Sequence, residues 1–304
     1  MKSARFAATL AVLMLAAACG EKPAPASSAT GTGQPATARP QNGSLEWAAA
    51  GKWRIDAEKA RDQWRHPVET LKFFGVKGSD TVVEIWPGGG WYTAILGPYL
   101  KASGGKLYAA QMDVAAAPDA INVYKAAFVD RPEVYGAIEV TTASATSSGI
   151  APDGSADVVL TFRNVHNWMA GGYAEKIFAD AYKALKPGGV LGIEEHRLPS
   201  ARDQDLAAST GYVLESYVVQ LAQKAGFALE ESSEINANPK DTADHPLGVW
   251  MLPPNLRSPA TGTPEALTYD VEGYKAIGES DRMTLKFRKP VSAAPSVGAP
   301  AVQN

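Results

Sequence analysis

Three short segments of this sequence concentrate residues able to do chemistry. The first, Val82-Val83-Glu84-Ile85-Trp86-Pro87-Gly88-Gly89-Gly90, is an apolar run that ends on three glycines. Glycines let the backbone approach a ligand closely because no Cβ intervenes. An acidic side chain just before them can hold a ligand's ammonium group, and a helix opening after them offers backbone N–H donors. A tight turn with no ligand uses the same residues. The second segment is Arg163-Asn164-Val165-His166-Asn167-Trp168. Its imidazole has an unperturbed pKa near neutrality, so His166 is either a proton acceptor or a structural histidine that fixes the segment; both readings stand. The third, Glu194-Glu195-His196, adds two carboxylates and a second imidazole. These are suitable metal ligands, but adjacent strand residues point to opposite faces, so the three do not converge easily and no metal site is predicted.

An alternation of strand and helix must position these segments. Apolar runs predict strands at Thr81–Trp86, Leu107–Gln111, Ile138–Thr142, Asp157–Phe162, Val190–Glu195, Phe227–Ile235 and Met283–Arg288. Helices are expected at Ile55–Phe74, Trp91–Leu100, Ala115–Phe128, Tyr173–Leu185 and Tyr212–Ala225. Strands regularly separated by helices pair in parallel and build a doubly wound α/β sheet. Such sheets bind ligands at the carboxyl ends of their strands, where all three segments fall. Arg65-His66-Pro67-Glu69 is expected to pack over the site as a lid. Trp86, Trp91, Tyr92, Trp168 and Trp250 are candidates to line a pocket, or else to fill the core. The stretch around His245–Pro254 exceeds ordinary loop lengths and is read as functional.

The glycine turn, Asp157–Asn164 some seventy residues later, and Leu185-Lys186-Pro187-Gly188-Gly189 before the fifth strand together resemble class I S-adenosylmethionine (SAM)-dependent methyltransferases. The resemblance covers roughly Asp56 to Lys289. More narrowly, Arg65–Leu71, Pro87–Tyr92 and Glu279–Thr284 are similar to a group of exported bacterial methyltransferase-like proteins. It implies a three-layer Rossmann-like fold with a mostly parallel seven-stranded sheet and an antiparallel last strand. It also implies SAM as cofactor and methyl transfer to a small-molecule acceptor. Carried over by position, Glu84, Gly88, Gly89 and Gly90 form the first cofactor motif and Gln111 takes the place of the ribose-binding acid. Asp113 is a possible substitute for that acid, and Asn164 and His166 border the methyl group, with His166 catalytic. Three positions depart from the pattern: Trp86 replaces the first glycine, Gln111 replaces a carboxylate, and Thr141–Ser144 lacks the acidic residue that commonly holds the adenine amine. These departures, together with the cytoplasmic origin of SAM, keep open a second class of function, a methyltransferase-fold module that binds another small molecule without catalysis.

The ends of the chain say where it goes. Lys2 and Arg5 precede an apolar run, Phe6–Ala18, that meets the single cysteine, Cys19. A bilayer-spanning helix needs about 20 apolar residues, so this shorter run suits a secretory signal. Small residues before Cys19 resemble a bacterial lipobox, which implies a lipid on Cys19 and a membrane-held protein in the cell envelope or periplasm. The expected organisation is a signal peptide (1–18), lipid attachment and flexible tether (19–44), one domain (45–292) and a disordered tail (293–304). With 45% hydrophobic residues the domain can bury a sizeable core. A net charge of −3 gives no basic face for nucleic acid. One cysteine excludes an internal disulfide and a Cys-rich zinc site.

Overall fold

The computed structural model describes residues 40–113 and 118–291, all within one compact unit. The expected signal peptide, Cys19, most of the tether and the tail from 293 lie outside the described residues. Among the described residues no helix is long and apolar enough to cross a membrane.

Eight strands form one sheet: β1 (Thr81–Ile85), β2 (Lys106–Gln111), β3 (Ile138–Thr142), β4 (Ala156–Phe162), β5 (Leu185–Leu198), β6 (Val213–Leu214), β7 (Ala228–Ser233) and β8 (Arg282–Arg288). Seven follow the order β3-β2-β1-β4-β5-β8-β7, and the two-residue β6 pairs beside β5. Pairing is parallel from β3 through to β5, whereas β8 is antiparallel to both β5 and β7. This is a Rossmann-like methyltransferase fold, with the last strand reversed as the resemblance implied. The chain order reverses between β1 and β4, which opens a crevice at the carboxyl edge there.

Helices cover both faces, so each strand must supply apolar residues to both sides. Val83 and Ile85 join Trp168, Ile177 and Phe178 in one core. Val82 joins Leu71, Phe74, Leu96 and Tyr124 in the other. By the same alternation Glu84 falls on the second side and Glu195, after Ile193, on the first.

Four elements differ from their sequence expectation. Ile55–Phe74 is three short helices, Asp56–Lys59, Asp62–Arg65 and Pro67–Phe73, rather than one. Pro67 disfavours helical geometry in the residue before it, and His66 sits in the left-handed region at φ 37°. The expected helix over 115–128 is α-helical at Pro118–Tyr124 and continues as a π-helical turn, Lys125–Val129. Pro187-Gly188-Gly189 does not separate helix from strand; it lies within the long β5, where the register to β4 shifts between Ala156 and Val158. The amphipathic stretch from Tyr212 opens with β6 and becomes helical only at Glu215–Lys224.

The reversal of β8 has one consequence for the site. β7 runs in the direction of β5, so the 48 residues joining β7 to β8 (234–281) leave and re-enter the sheet at its carboxyl edge. A buried acid pins this connection: Asp241 accepts from Tyr212 Oη (3.0 Å), pairs with His245 Nε2 (2.9 Å), and accepts the backbone N–H of Asp281 (2.8 Å).

Candidate functional site

A cavity of about 430 Å³ opens at the carboxyl ends of β1, β4 and β5. Its floor is Trp86 to Gly89 and Phe162 to Asn164, one wall holds His166, His196 and Ser280, and Arg61, Arg65, Trp91 and the 249–255 segment form the roof. Of the segment expected to pack over the site, Arg65 lines the cavity, joined by Glu58 and Arg61, whereas His66 and Glu69 do not. Part of the long stretch around Trp250 thus borders the cavity.

Two bulky residues at this floor have left-handed backbones, Trp86 at φ 50° and Arg163 at φ 60°. Each follows directly on a strand, β1 and β4 respectively. Non-glycine residues in that region cost of order 1 kcal/mol and persist where their surroundings fix them. Asn164 is part of that fixing: its amide donates to Ile85 O (3.1 Å), Trp86 O (3.3 Å) and Thr161 Oγ1 (3.2 Å), tying the end of β1 to the end of β4.

The end of β5 supplies two carboxylates with separate tasks. Glu195 Oε2 accepts the backbone N–H groups of Val165 (2.6 Å) and His166 (3.3 Å), and so holds the first turn of helix Val165–Ala170. Its Oε1 accepts from His196 N (2.8 Å) and meets His166 Nδ1 at 3.0 Å. With both oxygens serving as acceptors, the hydrogen of that last contact belongs to His166 Nδ1. His196 Nδ1 meets Ser280 Oγ at 2.6 Å. Burial, with His166 and then Arg163, Arg282 and Arg65 nearby, pushes the His196 pKa well below its usual range.

Glu194 points to the other face, into a buried ion network. It pairs with Arg163 Nη1 (2.8 Å) and Arg282 Nη1 (3.2 Å) and accepts from Tyr92 Oη (3.2 Å). Glu279 bonds Arg61 Nε (2.7 Å), Arg65 Nε (2.8 Å) and Arg282 Nη1 (3.0 Å). Burial opposes ionisation of Glu279, but Arg65, Arg282 and Arg61 hold its pKa down to about 2. Burial also lowers Arg65, to about 9, with the charge of Arg163 working in the same direction. The network holds four guanidinium groups and two carboxylates.

The opposite faces of Glu194 and Glu195 agree with their adjacency. What adjacency could not reveal is that His166 takes the third place: His166, Glu195 and His196 each bring a ligand atom within 4.8 Å of the others. The oxygens of Glu195 are already engaged and three arginines stand close, which disfavours a cation between them.

The remaining expected cofactor residues are divided. Gly88 and Gly89 are exposed to the cavity, with nothing within 4 Å of a Cβ placed on either. Gly90 is not on the wall; a Cβ there would lie 2.2 Å from the Phe128 ring. Glu84 is buried away from the cavity, where Thr93 Oγ1 donates to its Oε2 (2.6 Å) and Tyr124 Oη lies 3.1 Å from Thr93 Oγ1. Burial raises its pKa to about 7. It therefore offers no carboxylate to a ligand's ammonium group in this arrangement. Gln111 is buried, and its Nε2 has no hydrogen-bond partner among the described residues. Asp113 lies just past β2 and is not on the cavity wall.

Residues 84–193 match the model of a family described as a methyltransferase domain. This stretch, about a third of the chain, is similar to methyltransferase domains, a family that implies SAM. No curated protein matches the sequence. Among solved structures, a protein assigned as a sarcosine dimethylglycine methyltransferase from Galdieria sulphuraria is 17% identical with a TM-score of 0.50, covering 78% of this chain and 89% of its own. SpnF, a (4+2)-cyclase, is 16% identical with a TM-score of 0.50, covering 80% and 85%. At such identities the likeness concerns the fold.

The residues present do not fit SAM in the crevice between β1 and β4 as it stands. The Trp86 indole lies along the carboxyl edge from β1 towards β3, donating from Nε1 to Ala143 O at 2.8 Å. Its ring meets Trp168 edge-on at 6.1 Å and Tyr173 at 6.4 Å on the far side. An adenosyl group and this indole would claim the same space.

Proposed function

We propose that this chain is an exported, lipid-anchored protein of the cell envelope whose methyltransferase domain takes a small molecule in the cavity over β4 and β5. The export and anchoring rest on the apolar run before Cys19 and on the composition of the segment that follows it. The small-molecule site rests on a cavity of suitable size, bordered by aromatic walls and convergent polar groups. Asn164 and His166 lie on its wall, where the methyltransferase resemblance puts the acceptor.

What happens to that molecule divides two readings. Binding without methyl transfer is the one the geometry favours, and the Trp86 indole in the crevice carries it. SAM-dependent methylation of the bound molecule is favoured by the family match and by the partnerless amide of buried Gln111, a group suited to a ribose hydroxyl. It requires the indole to leave the crevice.

Calorimetric titration of the full chain with SAM and with S-adenosylhomocysteine separates them. The first reading expects no binding by the wild type, and measurable binding only after Trp86→Gly. Micromolar binding of either compound by the wild type would replace it with the transferase reading.

A further inference from the structure

We propose that the small molecule taken by this cavity is an anion, carrying a carboxylate or phosphate group that seats against Arg61, Arg65 and Arg163. The inference rests on the reading that the cavity is the small-molecule site, and is independent of whether methyl transfer follows.

Charge balance is the first ground. In the ion network four guanidinium groups face the two carboxylates of Glu194 and Glu279. The neighbouring Glu195 is committed to His166 and three backbone N–H groups. Glu58 on the rim adds one further acid. Counted with Glu195 and Glu58, four guanidinium groups meet four acids, so the imbalance is local: Arg61, Arg65 and Arg163 border the cavity, while Glu195 is turned to His166 and backbone N–H groups.

Unspent donors are the second ground. A guanidinium has five N–H donors in a planar fork that suits carboxylate and phosphate oxygens. Arg61 and Arg65 each use Nε alone, both on Glu279, and Arg163 uses Nη1 alone, on Glu194, for hydrogen bonds among the described residues. All three side chains line the cavity. The fourth member of the network behaves differently: Arg282 is buried, spends Nη1 on the two carboxylates and Nη2 on Trp64 O, and does not line the cavity. It reads as the structural member, and the other three as the recognising ones.

Position is the third ground. Arg163 is held in a left-handed conformation at the end of β4, which brings its side chain to the floor instead of continuing the strand. Arg65 stacks over the Trp91 ring at 4.9 Å, an arrangement that orients its plane. Trp250, Val249 and Leu252 also line the cavity and supply apolar surface, so the group attached to the anion is expected to be apolar or aromatic. His166 lines the same cavity.

Three probes of matched shape test this in the full chain by calorimetry at low chloride: benzoate, phenyl phosphate and the neutral benzamide. At least one of the two anions is expected to bind about ten-fold or more tightly than benzamide, the scale of one charge-assisted hydrogen bond. Which anion binds better distinguishes carboxylate from phosphate recognition. Arg61→Gln, chosen because its side chain is 27% exposed and the least buried of the network's arginines, should weaken the anion about ten-fold and leave benzamide unchanged. Arg163→Lys, which keeps the charge but loses the fork, should weaken it as well. Equal binding of all three probes would overturn the anion while leaving the cavity as a ligand site. Binding of none would overturn the proposal outright. Anion binding that survives both substitutions would mark an adventitious ion only, and also overturn it. The SAM titration reports separately on methyl transfer.

Discussion

The ligand edge of this sheet has two halves, and they have been treated in opposite ways. Over β1, β2 and β3 much of the edge is filled: Trp86 donates to Ala143 O, Glu84 accepts from Thr93, and Phe128 lies against Gly90, with Gly88 and Gly89 alone left open to the cavity among the expected cofactor residues there. Over β4, β5 and β8 the guanidinium donors outnumber their partners among the described residues and the space is open. A methyltransferase fold normally needs both halves, one for cofactor and one for acceptor. Here the side over β1 to β3 is the more filled, and the side over β4, β5 and β8 carries most of the cavity. The likeness to SpnF shows that this fold also occurs in a protein described as a cyclase, so the architecture alone does not settle the chemistry.

Substitutions can break or sharpen this contrast. The largest effect is expected on the open side. Glu279→Gln would leave Arg61, Arg65 and Arg282 without their shared carboxylate, a loss of about 3–5 kcal/mol measurable by urea denaturation. If stability barely changed, the network would not be the frame of the open half.

Next comes the more filled half. Gly90→Ala combines a left-handed backbone at φ 81° with a contact of 2.2 Å to Phe128, and is expected to cost about 2–3 kcal/mol. Adding Phe128→Ala should relieve the steric part. A tolerant Gly90→Ala would mean that the ring moves freely and the crevice is less closed than it looks.

Glu84 gives a dependence on pH. Its folded pKa is raised to about 7 from 4.5 by burial, so the folded chain holds a proton that the unfolded chain releases between those values. Stability from this group is therefore present below pH 4.5 and falls as pH rises towards 7, levelling off above. Relative to wild type, Glu84→Gln should gain about 3 kcal/mol between those limits, read from thermal melts at both ends. Parallel pH profiles for the two proteins would show that Glu84 is solvated, and hence available to a ligand.

Trp86→Gly should have the smallest effect on stability. Loss of a half-buried indole is partly offset by release of the strained backbone, for a net cost of about 1 kcal/mol. A loss several times larger would make the indole a core element in its own right.

Much of the fold could be read from the sequence, because alternating apolar runs and glycine turns are local signals. β1, β3 and β4 lie within a residue of expectation. The leading helix failed where the left-handed His66 breaks a plausible period, which a composition-based reading does not register. At the site, His166, Asn164, Gly88 and Gly89 were identified because they sit just beyond strand ends. Glu84 and Gln111 were placed by resemblance, and strand alternation says which side they take but not what already covers that side. Arg61 was missed altogether, and the joining of Arg65 to Glu279 and Arg282 across more than 200 residues leaves no trace in spacing. The one available signal was the run Glu279-Ser280-Asp281-Arg282, noticed as a motif but without its partners.

The reversed β8 bears on how such a site could change. Because the strand returns between β5 and β7, its 48-residue approach begins and ends at the same rim of the sheet. Length can be gained or lost in that bridge without shifting the register of any strand. Walls built this way can be remodelled around new cargo while the platform beneath keeps its shape.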